Sequence, residues 1–269
     1  MPKTFNAYTL KMVAIIGMLM QHTALVLGPL IPAPLHFPLQ FGGGLTFPIM
    51  AFLLVEGYRH TSSVGRYLRR LFVFGLISQV PHMMAFSNEV TEGTGIFGIN
   101  IMFTLFVGLL VLVMYDRMKR RGLFWFLFVV ISLSTLMFDW GIVGPSMVLL
   151  YHVVKSEKLR RTIPPAIACW YSIMFAFGIG ILIGLIGALD PESLYELGDA
   201  ANGGLGMAES IATFLFPIGM LASIPLIRGY NGERGRSMKY LFYGFYPLHL
   251  LALALIAYFL GIGQLFGFI

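Results

Sequence analysis

Residues 10–28 read LKMVAIIGMLMQHTALVLG. A run this long and this apolar is a candidate membrane-spanning helix. Its second half nevertheless carries Gln21, His22 and Thr23 in succession. At a rise of about 1.5 Å per residue, His22 sits roughly 16 Å beyond Lys11. With Lys11 at the membrane surface, His22 falls around or just past the bilayer midplane. An ionisable group at that depth is costly, faces protein or a water-filled cavity, and marks a functional site by default. The rest of the chain must supply the surroundings of His22.

Composition sets the class. The 269 residues are 58% apolar and 11% charged, against about 25% charged in soluble domains. Too few polar side chains are present to cover a water-soluble globule. The expected fold is all-α: a single integral-membrane helical domain over residues 1–269, with about nine spans, no internal repeat and no separate soluble domain. Cys169 is the single cysteine and leaves no intrachain disulfide to form. Lys3 and Lys11 ahead of an apolar stretch resemble a secretory leader. The stretch is longer than a leader's apolar core, and no small-x-small cleavage motif follows, so it is read as a retained helix.

The expected spans are residues 10–28, 45–58, 64–85, 99–115, 123–138, 142–154, 163–189, 207–227 and 238–261. Pro29, Pro32, Pro34 and Pro38 predict that the first connection is not helical throughout. Gly42, Gly43 and Gly44 then lead into the second span. Asp139, Trp140 and Gly141 make a tight turn into the sixth.

Charge orients the bundle. Lys3 and Lys11 precede the first span. Arg59, Arg66, Arg69 and Arg70 join the second and third, and Arg117, Lys119, Arg120 and Arg121 join the fourth and fifth. Lys155, Lys158, Arg160 and Arg161 join the sixth and seventh; Arg228, Arg234, Arg236 and Lys239 join the last two. These are all 18 Lys and Arg of the chain. The intervening loops carry Glu89, Glu92, Asp190, Glu192, Glu196 and Asp199 instead. By the positive-inside rule the N-terminus is cytoplasmic, the C-terminus is outside, and the protein is a multi-pass component of the inner or plasma membrane. The basic side also suits an anionic cytoplasmic ligand. The lipid bilayer is an expected partner, nucleic acid is not, and homo-oligomerisation stays open.

Polar residues within the spans can now be placed by depth. His249 lies eleven residues into the last span, level with His22. Tyr243, Tyr246 and His249 follow at i, i+3 and i+6, so successive members are surface neighbours. Gln79 is mid-membrane, Asn100 and Asp139 stand at outer helix ends, and Glu56 lies near the cytoplasmic side. Two histidines, one or two amides and a carboxylate thus converge between midplane and outer surface. Each has a structural alternative. An intramembrane His can simply bond a neighbouring helix, Asp139 can cap the helix after it, Glu56 can pair with Arg59, and the tyrosines can be packing. His22, His249 and Asp139 include no close ligand pair, so no metal is expected. The loop Tyr230-Asn231-Gly232-Glu233-Arg234-Gly235 could bring backbone amides and guanidinium groups to a phosphate, or be a plain turn.

A set of ordered blocks resembles the TraX family, named for the protein that acetylates the N-terminus of F pilin. They are Leu10-Lys11 through His22, Phe47-Pro48 through Glu56-Gly57-Tyr58, His60-Thr61, Tyr67-Leu68, Arg70-Leu71 and Ser78-Gln79-Val80-Pro81. They continue with Asn100 through Leu105, Asp139-Trp140-Gly141 with Gly144 and Tyr151, Tyr230-Asn231-Gly232, Arg234-Gly235 and Tyr243 through Leu250. The resemblance runs nearly end to end, with Gln21 standing where the family pattern has Asp before the first His.

The resemblance implies transfer of an acetyl group from acetyl-CoA to an amine or hydroxyl of a peptide, lipid, glycan or small metabolite. His22 would be the general base or, in a covalent variant, the nucleophile, with His249, Asn100 and Asp139 completing the catalytic set. Asn100, Gln79 or Tyr246 would hydrogen-bond the oxyanion. Tyr230, Asn231, Gly232, Arg234 and Gly235, with Arg70 and Tyr246, would hold the donor. Gln21, Gln79, Tyr243 and Glu56 would orient substrate. The alternative class is a proton-coupled small-molecule transporter or exporter, using the same His, Asp and Glu as a relay.

The topology is directly testable. A reporter fused after Ile269 that works only outside the cytoplasm should be active; activity of a cytoplasm-only reporter there means that one span has been miscounted.

Overall fold

The computed structural model describes residues 4–86, 98–189, 207–237 and 239–263. The acidic stretches with Glu89 and Glu92 and with Asp190, Glu192, Glu196 and Asp199 fall outside the described residues, as does Ile269. Among the described residues the chain is all-helical, apart from two isolated bridges. The α-helices are α1 Ala7–Val26, α2 Ala33–Gly44, α3 Thr46–His60, α4 Val64–Ala85, α5 Ile101–Arg117 and α6 Arg121–Ser134. They continue with α7 Val143–Val153, α8 Glu157–Arg160, α9 Ile163–Leu189, α10 Met207–Arg228 and α11 Lys239–Phe259. Among the described residues, three stretches are long and apolar enough to cross a membrane: Ala7–Val26, Ala33–His60 and Tyr240–Phe259.

Local sequence sets several boundaries. Asn6 caps α1 by accepting from the Thr9 amide at 2.9 Å, and Ser63 caps α4 through the Arg66 amide, each satisfying a first-turn donor. Asn100 does the same for α5, accepting from Met102 at 3.0 Å. The proline-rich connection is more helical than the sequence suggests. Only residues 27–32 lie outside α-helix, as a short 3-10 turn and an extended link, before α2 begins. Pro34 lies in the first turn of α2, where its missing amide costs little. Pro38 would have donated to Pro34, so it forfeits only that first-turn bond. Leu45 keeps helical dihedrals (φ −68°, ψ −27°) between α2 and α3, and the two run on as one 28-residue stretch. The expected fifth span ends sooner than residue 138: α6 stops at Ser134, and a 3-10 turn, Thr135–Met137, follows.

The α2–α3 stretch is the pillar of the bundle. Its apolar window is 72% buried, against 39% for α1 and 33% for α11, so its neighbours surround it. Phe47, Ile49, Phe52 and Val55 on α3 meet Leu10, Leu109, Leu112 and Tyr151 in one core. Glycine makes the tightest contact. A Cβ on Gly44 would collide with the Phe216 carbonyl, and one on Gly219 with the Phe41 carbonyl. The α2 and α10 backbones therefore touch directly, as small residues permit between apolar helices.

The bundle has two chemically different poles. At one, helix ends rich in Lys and Arg meet: Phe5 bridges Tyr230, Arg160 reaches Glu56 and Arg161 reaches the Tyr230 carbonyl. Nearby, the Asp116 carboxylate accepts from Tyr58 at 2.7 Å and from His152 at 2.8 Å, tying α3, α5 and α7 together. At the other pole, Ile99 bridges Phe138, and Val26, Leu253 and Ala257 pack with Ala85, Phe86 and Ile262.

Gly44→Ala should destabilise the bundle by about 1–3 kcal/mol, the usual cost of overpacking. Gly65→Ala, where an added Cβ meets nothing within 4 Å, should be neutral or slightly stabilising. Thermal unfolding of the two variants in one detergent checks the contrast.

Candidate active site

His22 on α1 and His249 on α11 are hydrogen-bonded, with Nδ1 of His22 2.7 Å from Nε2 of His249. Their rings lie nearly parallel, 5° apart. Backbone geometry decides who donates. Nδ1 of His249 is 2.8 Å from the Phe245 carbonyl. A carbonyl only accepts, so that nitrogen carries a proton. In neutral His249, Nε2 is then bare and accepts the Nδ1 proton of His22. Neutral His22 is left with Nε2 as its basic, unprotonated nitrogen, the arrangement a general base needs. Tyr246 is edge-on to His22 at 6.2 Å and 5.6 Å from the His249 ring. It is fully buried, lies close to Asp139, and its hydroxyl makes no well-formed hydrogen bond. A buried donor without a partner is costly unless something supplies one.

A cavity of about 450 Å³ opens at the basic pole. Along α3 its lining runs from His60 to Met50, roughly 15 Å of helix axis. Lys11, Arg70, Arg234 and Arg236 line it, with Tyr67, Tyr230 and Tyr243 between them. Lys11 lies over the Phe242 ring at 5.1 Å, Arg70 over Tyr67 at 5.5 Å, and the Arg70 Nε is buried without a partner. The one carboxylate in the lining, Glu56, is bound to Arg160 at 2.8 Å and lies 3.6 Å from Arg59. The cavity therefore carries excess positive charge and suits a polyanion. Tyr243 lines it; Tyr246 and His249 follow three and six residues further along α11, each neighbouring the one before it on the helix surface.

The loop after α10 is held from two sides. Phe5 donates to Gly229, Asn231 to Phe5 and Ala7 to Glu233, at 2.8–2.9 Å. Gly235 has φ +64°, and an added Cβ would sit 2.6 Å from Asn6, so only glycine fits the turn. Below the loop, Arg161 donates to the carbonyls of Ile227, Arg228 and Tyr230, satisfying the C-terminus of α10. Arg160 and Arg161 both bond Glu157. Partial burial alone would raise the Glu157 carboxyl, but these two guanidinium groups outweigh it and hold the carboxyl below its ordinary range. Burial, with Glu56 close by, pushes the Tyr230 hydroxyl up.

At the opposite pole Asp139 does not cap the helix that follows: α7 has Ile142 at its cap position and no side-chain cap. Its carboxylate instead lies 3.4 Å from His82 Nε2. Asn100 is fully buried and fully engaged. It caps α5 and donates to the Gly75 carbonyl at 2.8 Å and to Gln79 at 2.7 Å. Gln79 also donates to Gly98. The two amides fasten α4 to α5. Gln21 faces α2: a Cβ on Gly43 would come 2.6 Å from the Gln21 Cβ.

The structure thus brings His22, His249 and Tyr246 together. It collects Tyr230, Gly232, Arg234 and Arg70, with Glu56 and Tyr243, around one cavity. Asn231 closes a side-chain turn onto the Glu233 amide, and Gly235 packs on Asn6; neither lines the cavity. Sequence reasoning did not assign Lys11, Tyr67 or His82. Lys11 was legible as a cation on the His22 helix. His82 was legible as the residue one turn past Gln79, near the end of the helix where Asp139 was expected.

Comparison with known proteins adds to this geometry. The sequence model of a family described as TraX protein matches residues 6–257. The probable fimbrial assembly protein FimC, serogroup H1, of Dichelobacter nodosus is 30% identical over 254 residues, covering 91% of this chain and 93% of that protein. No solved structure matches.

Proposed function

The chain belongs to the TraX family, and from that premise we propose that it is a membrane-embedded acetyltransferase acting in fimbria or pilus biogenesis. Acetyl-CoA is the donor and an amine the acceptor. The bundle crosses the inner membrane about nine times with its basic pole in the cytoplasm, where the donor is found. One observation supports this reading: a cation-lined cavity and a hydrogen-bonded histidine pair share α11, with Tyr243 in the cavity lining and His249 in the pair.

The division of labour follows from the geometry. Lys11, Arg70, Arg234 and Arg236 take the phosphates of coenzyme A, since guanidinium and ammonium groups form charge-assisted bonds to them. The thioester points inward toward Tyr246. His22 Nε2 receives a proton from the neutral acceptor as it attacks the thioester carbonyl. The Tyr246 hydroxyl, buried and free to donate, bonds the oxyanion. The tetrahedral intermediate expels the coenzyme A thiolate, which takes the proton back from His22. Amide and thiol are the products. His249 fixes the His22 tautomer and accepts its Nδ1 proton throughout. The name of the fimbrial relative supports a fimbrial subunit amine as acceptor.

Two measurements test this. Reversing Arg234 and Arg236 to Glu should weaken coenzyme A binding about tenfold or more, each lost charged hydrogen bond being worth about 1.5–3 kcal/mol. Reversing Arg117 and Lys119, which lie outside the cavity lining, should not, and high salt should shrink the difference. His22→Gln should keep donor binding and lose about 10²-fold or more in transfer from labelled acetyl-CoA. Near-normal transfer by that variant sinks the reading. A proton-coupled transporter would instead give no transfer at all and would need a gradient.

A further inference from the structure

The transfer as written consumes a neutral amine. A primary amine such as a chain N-terminus has a pKa of about 7.7–8.0 and is mostly ammonium at pH 7. Starting from ammonium, thioester and acceptor yield amide, thiol and one released proton. His22 returns its own proton to the thiolate, so the released one needs another acceptor. His22 cannot take both.

The opposite pole holds a pair suited to that task. His82 on α4 is buried, and its Nε2 faces the Asp139 carboxylate at 3.4 Å. With Nε2–H turned to the carboxylate, Nδ1 is the nitrogen open to a proton. The Asp139 side chain is 32% exposed, so a proton arriving there can leave to water. Phe86 joins the two sites: its ring lies 4.9 Å from His82 and 5.8 Å from His22. The Asp139 backbone is fixed on both sides, donating to Ile99 at 2.8 Å and accepting from Thr104 at 2.5 Å. The next residue, Trp140, has φ +70°, a conformation that strains a bulky residue. Stacking on Phe47 at 4.4 Å and contact with Phe216 at 5.3 Å hold it there.

We propose that His82 and Asp139 form an acceptor-side pair that takes the surplus proton from the incoming ammonium and passes it out at the pole opposite the donor cavity. His82 Nδ1 accepts the proton, Asp139 stabilises the imidazolium, and the free amine goes on to attack at His22. This rests on the acetyl-transfer reading. Among the described residues, the other titratable groups near the pair are His22 on α1, beside His82, and Tyr246 on α11, beside Asp139. From α5 come Asn100 and Thr104, which do not titrate.

The test uses the full-length protein in detergent and labelled acetyl-CoA, with two acceptor probes: a short peptide with a free N-terminus, and hydroxylamine, which is already neutral at pH 7. His82→Gln and Asp139→Asn keep shape, and unchanged coenzyme A binding verifies that they fold. With the peptide at pH 7 each should lose about 5- to 10-fold, the factor by which free amine falls short of total amine at a pKa of about 7.7–8.0, and hydroxylamine should show at most about a twofold loss. Raising the pH to 9 deprotonates the peptide and should restore most of its rate in the variants, while the wild type changes little. Equal losses with both probes, no recovery at pH 9, or no loss at all overturns the pair's role. Should both variants fail to bind the donor, the wild type decides: a peptide rate that rises across pH 7–9 in step with the free-amine fraction overturns it, and a flat one supports it. A wild type inactive with both probes overturns the acetyl-transfer reading itself.

Discussion

The bond between His22 and His249 joins the first long helix to the last one described. Its direction is imposed from outside the pair, because the Phe245 carbonyl can only accept and so fixes the proton on His249. That constraint passes through the 2.7 Å contact to His22 and leaves its Nε2 basic. In a membrane interior two imidazoles side by side would be an expense without return if both simply packed. Here the second ring sets the tautomer of the first, the service a carboxylate or backbone oxygen renders in many histidine sites. Gln21, turned toward Gly43, plays no part in it.

The cavity at the basic pole works by a surplus of charge. Among the described residues Glu56 is its one carboxylate, and Arg160 and Arg59 already neutralise it, so the cavity lining carries surplus positive charge. Arg160 and Arg161 look from sequence like ordinary topogenic charges. In the structure they are buried struts that bond Glu56, Glu157 and the last carbonyls of α10, and thereby hold the Tyr230–Gly235 loop over the cavity. The same residue type thus serves two ends a few residues apart: buried and paired it builds the rim, and unpaired it faces the ligand space. The cavity and the histidine pair share α11, on which Tyr243, Tyr246 and His249 mark successive depths.

Several expectations met the structure unevenly, for physical reasons. The prolines after residue 28 promised a connection that is not helical throughout, and residues 27–32 do interrupt the helix; Pro34, in the first turn of α2, loses no bond it would otherwise make, so α2 forms directly after them. Asp139 at a helix start suggested a cap, yet the turn through Trp140 carries its carboxylate to His82 instead. Asn100 and Gln79 were legible as polar groups at depth. That each would exhaust its hydrogen-bonding capacity on the other and on nearby carbonyls was not, since this depends on how α4 and α5 cross.

Composition and charge by themselves determined that this is a helical membrane protein with its cations gathered at one side, because transfer to lipid penalises each polar group wherever it sits in the fold. Helix periodicity and rise placed His22 and His249 at one depth, and ordered motifs identified the family. Depth says nothing of azimuth. Whether two residues at the same level touch depends on helix rotation and crossing, which are set by contacts such as Gly44 against Phe216 and Gly219 against Phe41, far apart in the chain. Only the tertiary structure could turn His22 to His249, gather Lys11, Arg70, Arg234 and Arg236 around one cavity, and bring His82 to Asp139.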